Sequence, residues 1–300
     1  MDVKAIDPAN SQPMTARRTP KDSHASPTGS GDGDSHLMIQ LPMWHQDLRG
    51  LPNAFARSAL FSVANVRAGA RKYVKQQPIA ALAGIGITYT GEQLRQDDED
   101  VFLQILHVAR AQELGTEVRF TAYSMISELG WSKNTASYKR LVDCLDRMKA
   151  SAVAVTVEDK RGARENYTGS LIRSFRWRED ASGTSLREWT VLLEREIVNL
   201  FNPQSYTRLD WKMRLKLPAL EKWLHSFYHT HAHPFPYSVE TIHKLCGSEA
   251  KDLAKFRYKL KQALANLVDK GFFASAAVDP RSDLVQVTRS QAHLQMVHGR

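Results

Sequence analysis

The 300-residue sequence is poor in cysteine and holds only Cys144 and Cys246. Two thiols are too few for a disulfide framework or a four-ligand zinc site, so each is expected to be a plain core residue. The sequence also lacks an apolar run of the roughly 18 to 20 residues that a membrane span needs. Residues 1–10 lack the basic cluster and apolar run of a secretory signal. These absences predict a cytoplasmic protein with no membrane association.

Signatures of catalysis are also scarce, since no glycine-rich loop is followed by Lys and Ser or Thr as in P-loop nucleotide sites. One polar group stands out, and its members are His225, His229, His231, His233, Tyr228 and Tyr237. Metal-dependent enzymes that nick single-stranded DNA combine such histidines with an attacking tyrosine, but they hold the histidines on a strand. The spacing here predicts the end of a helix, where cations are favourable. We therefore expect no catalytic residue, no metal and no cofactor.

Positive charge, in contrast, is in excess. The sequence holds 41 Lys and Arg against 32 Asp and Glu, which gives a net charge of +9. Residues 1–36 are rich in Ser, Thr, Pro, Gly and Asp and carry more acidic than basic residues, so they are predicted to form a disordered tail. The basic excess therefore belongs to the folded remainder. A polyanion is the expected partner, because counterion release favours each phosphate that Lys or Arg neutralises.

The pattern from Asp97 onward predicts three helices and a hairpin. Apolar residues at helical spacing predict helices over 97–114, 121–130 and, after a cap at Ser132 or Asn134, as far as Met148. Alternating residues then predict strands over 152–157 and 171–177, separated by a charged loop over 158–168. Three helices followed by a strand, a charged loop and a strand is the order of a winged-helix domain.

The same order recurs near the C-terminus. Helices are predicted over 217–228, 238–247 and about 249–270, where Gly271 stops the last one. Strands over 272–278 and 284–287 flank a turn at 279–282. We therefore predict an α+β fold of tandem winged-helix (helix-turn-helix) domains. The predicted organisation is a disordered tail over 1–36, a linker and partner-binding segment over 37–65, domains over 66–205 and 206–290, and a frayed C-terminus over 291–300.

The outward face of the third helix is basic in both domains. In a helix-turn-helix protein this helix enters the major groove, and its N-terminal turns reach the base edges. The second domain presents Lys251, Lys255, Tyr258, Lys259 and Gln262. The first presents Lys133, Ser137, Lys139, Arg140 and Arg147, with Asp143 among them to repel phosphate. The predicted wings add Lys160, Arg161, Arg164 and Arg281.

Lysines on a helix surface usually just face solvent, so neither face alone is decisive. Two helix-turn-helix patterns that each combine a basic face with a basic wing predict specific binding of double-stranded DNA. The second domain is expected to be the main groove reader.

Several short segments outside these helices carry a family resemblance. They are Leu51-Pro52-Asn53, the run over 56–61 and Gly91-Glu92-Gln93-Leu94. With the two helix-turn-helix segments, they make residues of about 40–290 resemble the TrfA-type plasmid replication initiators. The resemblance implies a bacterial, plasmid-encoded protein that binds direct repeats (iterons) at an origin and opens the adjacent AT-rich duplex.

The resemblance also implies protein partners, namely the host replicative helicase and its loader, the host initiator and the sliding clamp. It implies inactive homodimers in balance with active monomers, and single-stranded origin DNA as a further ligand. Clamp-binding peptides resemble Gln-Leu-x-Leu-Phe, and the segments over 40–44 and 58–61 come near that pattern. The candidate partner-binding residues are Leu41, Trp44, Leu60 and Phe61. Leu60 and Phe61 fit the buried face of a short helix equally well.

Two other functions fit parts of the pattern. A transcriptional repressor of the same fold needs only the DNA-reading surface, and a nicking enzyme needs the histidine and tyrosine group. Apart from the family resemblance, nothing in the sequence separates an initiator from a repressor.

Overall fold

In the computed structural model, the described residues are 40–64, 70–112, 117–158, 161–179, 185–201, 205–291 and 293–294. The predicted tail over 1–36 lies outside these ranges. No helix within them is long and apolar enough to cross a membrane.

Helices and strands alternate along the described part of the chain. The helices are α1 (Asn53–Ala56), α2 (Gln96–Ala109), α3 (Ala122–Glu128), α4 (Thr135–Lys149), α5 (Trp211–Leu215), α6 (Ala219–His229), α7 (Val239–Leu245) and α8 (Leu253–Asp269), with a 3-10 helix over Arg195–Phe201. The strands are β1 (Leu48–Pro52), β2 (Tyr73–Ile79), β3 (Ile85–Glu92), β4 (Glu117–Thr121), β5 (Ala152–Glu158), β6 (Arg164–Gly169), β7 (Ser174–Glu179), β8 (Ser185–Leu192), β9 (Tyr206–Asp210), β10 (Tyr237–Ser238), β11 (Phe273–Val278) and β12 (Leu284–Arg289).

The described strands pair into four antiparallel sheets. Their strand orders are β2-β3-β5-β6, β4-β8-β7, β1-β9 and β10-β12-β11. The β1–β9 pair places Leu48 opposite Asp210 and Pro52 opposite Tyr206. This pair joins the segment before α1 to the segment before α5 through backbone hydrogen bonds.

Side chains at the helix starts form N-caps. Oxygen atoms of Thr121, Asn134 and Ser238 accept hydrogen bonds from the backbone N–H three residues on, at 2.9, 2.9 and 3.1 Å. Asp252 caps α8 in the same way. Each such cap contributes roughly 0.5–2 kcal/mol. Gly271 follows α8 with a φ of +73°, a conformation that costs glycine little, so the helix ends where the sequence predicts.

Buried apolar residues form two clusters. The first draws on residues between Leu41 and Trp211, and the second on residues between Leu217 and Val285. The second consists of α6, α7, α8 and the β11–β12 hairpin, in the predicted order of three helices and two strands. Both clusters belong to one compact unit, Met38–Arg300. The predicted mixture of helices and strands is confirmed.

The predicted first hairpin is wrong in its second strand. The partner of β5 is β6, which lies inside the predicted loop, whereas β7 pairs with β8 in another sheet. Only Tyr167 is buried in β6, so this polar strand has no apolar alternation to reveal it. The β5–β6 hairpin also continues through β3 and β2 into a four-stranded sheet, so it is more than a two-stranded wing.

The predicted partner anchors are core residues. Leu41 and Trp44 are 2% and 5% exposed, so the prediction that they are accessible to a partner is wrong. Leu60 and Phe61 are 3% and 1% exposed, which is the buried alternative of the two that the sequence left open. Trp44 stacks on Phe201 with ring centres 6.1 Å apart. The segment over 37–65 is held against the first cluster by β1 and α1, and it is not a free linker in its described part.

Candidate nucleic-acid interface

Helix α8 follows α7 in the chain, after a tight turn that contains Gly247. Gly247 has a φ of +63°, and a Cβ there would lie 2.8 Å from Cβ of Ser62, so the turn needs glycine for both conformation and space. The His243 ring meets the Phe256 ring edge-on at 4.7 Å, which packs α7 against α8. This pairing fixes the direction in which α8 presents its outer face.

The residues predicted from the sequence lie together on the outer face of α8, except that Lys251 lies in the turn just before the helix, which begins at Leu253 and not near 249. All five are exposed and line one shallow depression together with Asp252, and they are Lys251, Lys255, Tyr258, Lys259 and Gln262. The opposite face is buried in the second cluster through Phe256, Leu260 and Leu264. Packing of that apolar face leaves the basic face free for solvent or a ligand.

The chemistry of this face suits a nucleic acid. Among the described residues, Lys251, Lys255 and Lys259 form no ion pair, although the Asp252 carboxylate lines the same depression and caps α8. Tyr258 is 65% exposed, and its hydroxyl accepts a hydrogen bond of 3.0 Å from the Gln262 amide. Lysines bind phosphates and guanine edges, and a glutamine amide can pair with adenine. We call Lys251, Lys255, Tyr258, Lys259 and Gln262 the α8 face.

The β11–β12 hairpin is tied to α8 by an ion pair that sequence reasoning missed. Arg257 donates two hydrogen bonds to the Asp283 carboxylate, at 2.7 and 2.9 Å. These bonds hold the pKa of Asp283 below its usual range. Asp283 has a φ of +57° in the turn, a conformation that Asp tolerates better than most residues. Arg281, at the tip of the same turn, is exposed as predicted.

The α4 face is less basic than its sequence suggests. Lys133 places its ammonium 4.0 Å from the centre of the Tyr123 ring. Lys139 forms an ion pair of 3.1 Å with Asp143. Ser137 is half-buried in the first turn of the helix. Near the start of α4, Lys139 is therefore paired with a carboxylate, whereas Lys133 keeps its positive charge against an aromatic ring.

Two arginines of α4 form ion pairs with acidic residues of α2. Arg140 lies over the Trp131 ring and pairs with Asp97 at 3.3 Å. Arg147 pairs with Asp98 at 2.8 Å, and its side chain is 11% exposed, so the prediction that it faces outward is wrong. The reason is long-range, because α2 begins with acidic residues that lie beneath α4. The run of four acids from Asp97 was the available signal, since buried carboxylates need cationic partners.

The first hairpin contributes less than predicted. Arg164 lies in β6 and pairs with Glu158 of β5 at 3.0 Å. Arg161 is exposed in the turn between them, and Lys160 lies outside the described residues. The described basic residues of this hairpin therefore form no uncompensated patch comparable to the α8 face.

The histidines and tyrosines do not assemble into a nicking site. Tyr228 is fully buried, which raises the pKa of its hydroxyl, and it cannot reach a DNA phosphate. The Tyr237 hydroxyl lies 3.4 Å from Nε2 of His231, and His233 is exposed. His225 and His229 instead meet a third histidine, His293, from the segment predicted to be frayed.

Comparison with known proteins gives one family and one fold. Residues 34–289 match the family model of the TrfA protein. The plasmid replication initiator protein TrfA of Escherichia coli is 32% identical over 253 residues, which are 84% of this chain and 64% of that protein. Two crystal structures of RctB domains 2 and 3 give TM-scores of 0.54 and 0.53 at 12% and 10% identity. They cover 79% and 80% of this chain and 98% of their own, so the fold is shared.

Proposed function

The chain belongs to the TrfA family, and from that premise we propose that it initiates plasmid replication by binding double-stranded DNA at the origin. The observation that carries the proposal is the α8 face, which presents three exposed lysines beside Tyr258 and Gln262. A helix of this kind fits the major groove, where its side chains reach base edges. The chain spans 64% of the length of its E. coli relative, and the activity of the whole relative is carried over only as a proposal.

The proposed complex uses two contacts from one rigid unit. Residues of the α8 face read base edges, and Arg281 at the hairpin tip neutralises an adjacent phosphate. The Arg257–Asp283 ion pair holds the β11–β12 hairpin against α8. The α4 face plays a minor part, because Arg140, Arg147 and Lys139 already have carboxylate partners.

The remaining parts of the proposal are the functions that membership of the TrfA family implies. The protein acts as a winged-helix initiator that binds iterons and opens the neighbouring duplex without catalysis, and the single strand so formed is a further candidate ligand. It recruits the host helicase with its loader, the host initiator and the sliding clamp, and a homodimer is its inactive form. Contact with the clamp must use residues other than Leu41, Trp44, Leu60 and Phe61, because these are buried.

The test compares Lys255→Ala with the matched control Lys212→Ala, an exposed lysine outside the α8 face that pairs with Asp47. If Lys255 contacts a base, the variant loses about 1–3 kcal/mol of binding on origin DNA and little on unrelated DNA. If it contacts a phosphate, both DNAs weaken about equally. Affinities for both DNAs that match those of Lys212→Ala would overturn the assignment.

Footprinting on DNA beside the gene, at two salt concentrations, tests whether the protein binds direct repeats at an origin. Protection that repeats about every two helical turns would indicate direct repeats, and a steep salt slope would count phosphate contacts. A plasmid-maintenance assay with the protein supplied in trans separates an initiator from a repressor. A single protected site and no support of replication would contradict the proposed function.

A further inference from the structure

Three imidazoles converge beside the second apolar cluster. His225 and His229 lie one turn apart on α6, and His293 follows β12. Nε2 of His229 lies 3.2 Å from Nε2 of His225 and 3.2 Å from Nε2 of His293. One nitrogen of each ring falls within 4.8 Å of the other two. Residues distant in the sequence thus direct nitrogen atoms towards one point.

Hydrogen bonding alone accounts poorly for this arrangement. A ring nitrogen carries either one proton or one lone pair, so Nε2 of His229 cannot form two well-aligned hydrogen bonds with both neighbours. His225 is completely buried and His293 is 5% exposed. Nδ1 of His225 has no hydrogen-bond partner among the described residues, so nothing there stabilises a charged ring. A cation that accepts three lone pairs at once would satisfy all three nitrogens.

The distances suit zinc. Zinc–nitrogen bonds of about 2.0–2.1 Å at tetrahedral angles place neighbouring ligand nitrogens about 3.3–3.4 Å apart. Two of the three nitrogen pairs lie 3.2 Å apart, and the third pair lies within 4.8 Å. We propose that His225, His229 and His293 bind a zinc ion that joins the segment after β12 to α6.

The surroundings favour neutral, metal-competent imidazoles. His225 is completely buried and His293 nearly so, and burial disfavours the charged imidazolium form of both rings. The Phe272 ring contacts all three imidazoles, with ring centres 4.7, 5.1 and 5.1 Å away, and shields them from water. Arg214 and Arg289 lie nearby and also disfavour a positive charge on these imidazoles.

The first experiment measures zinc in the full chain, purified without a histidine tag. We expect about one zinc per chain by elemental analysis, in line with a three-histidine site. After chelation, added zinc should restore the metal and raise the apparent melting temperature, because an ion that binds the folded state stabilises it. Failure of the chelated wild-type chain to take up stoichiometric zinc would overturn the proposal, whatever any variant does.

Variants then assign the ligands. His229→Ala, at a half-buried position, and His293→Ala should weaken zinc binding by about a hundredfold or more and abolish the visible spectrum of a cobalt-substituted site. The control His233→Ala changes an exposed histidine outside the cluster and should retain the metal. Equal zinc affinity in His229→Ala, His293→Ala and the control would contradict the assignment. DNA affinity of the α8 face is a separate measurement, so the two proposals can fail independently.

Discussion

Single residues inside the first cluster combine burial with a specific polar contact. Trp44 donates its indole N–H to Nδ1 of His107 at 3.1 Å, and both side chains are nearly buried. Burial, with Arg49 and Arg110 nearby, lowers the pKa of His107 to about 3. This contact explains why Trp44, a residue whose sequence context allows a partner anchor, belongs to the interior.

The shifted pKa of His107 predicts a pH dependence of stability. In the unfolded chain His107 takes a proton near pH 6.5, whereas in the folded chain it does so only near pH 3. Between these values the unfolded state binds more protons, so the free energy of unfolding falls as pH decreases from about 6.5 towards 3, by up to about 1.4 kcal/mol per pH unit.

Urea denaturation at about pH 5, 6 and 7 measures this effect. His107→Gln keeps an acceptor for the Trp44 indole but does not titrate. The slope of its unfolding free energy against pH should therefore be smaller than that of the wild type, by an amount that corresponds to about one proton. The exposed His233→Gln should follow the wild type. Parallel curves for wild type and His107→Gln would show that His107 does not titrate as described.

At the scale of elements, α4 and α8 occupy similar places in their sequence patterns and have different surfaces. Both carry Lys or Arg at outward positions, but α4 lies over the acidic start of α2 and α8 does not. The charge that remains available for DNA is therefore set by the element packed next to each helix. This difference supports the second unit as the main DNA-binding element.

The link between α8 and its hairpin leads to a prediction about local motion. Arg257→Met and Asp283→Asn each remove the ion pair, and the second keeps a residue that tolerates the left-handed conformation. Because the pair is about one-third exposed and screened by solvent, we expect only a small loss in the free energy of unfolding. Amide hydrogen exchange over 279–284 should become faster in both variants. Exchange that stays at the wild-type rate in both would mean that the pair does not restrain the hairpin.

At the scale of the whole molecule, a buried ionic network connects the two apolar clusters. Arg214 of α5 is fully buried, and its guanidinium donates to Asp100 at 2.7 Å and Glu99 at 3.0 Å, both in α2. It also donates to Ser226 of α6 at 2.6 Å. One side chain thus bonds to helices from both halves of the folded unit.

Removal of this arginine should affect overall stability. Arg214→Ala leaves Glu99 buried without its cation and leaves Asp100 paired with Lys222 alone. Loss of one partner of a buried ion pair typically costs about 3–5 kcal/mol. Chemical denaturation should show this loss, whereas Lys212→Ala, two residues away on the exposed side, should change stability by less than about 1 kcal/mol. Equal denaturation midpoints for the two variants would refute a stabilising role for the network.

The sequence by itself determined the helices of the second unit, three of the N-caps and the basic α8 face, and it pointed to the family that the comparisons identify. These features depend on periodicity and capping within a few neighbouring residues, so local reasoning reaches them. Tertiary structure alone decided which cations stay free, because Arg147 is neutralised by Asp98, 49 residues away in the chain.

Tertiary structure also decided that the predicted partner-binding residues are buried and which histidines lie close together. Trp44 stacks on Phe201 and Phe61 packs on Phe102, and no local pattern encodes these contacts between distant parts of the chain. His293 joins His229 across 64 residues, so the histidines nearest in sequence, His231 and His233, were the misleading ones. Burial and ion pairing depend on which distant segments pack together, and that is the information that a single sequence does not display.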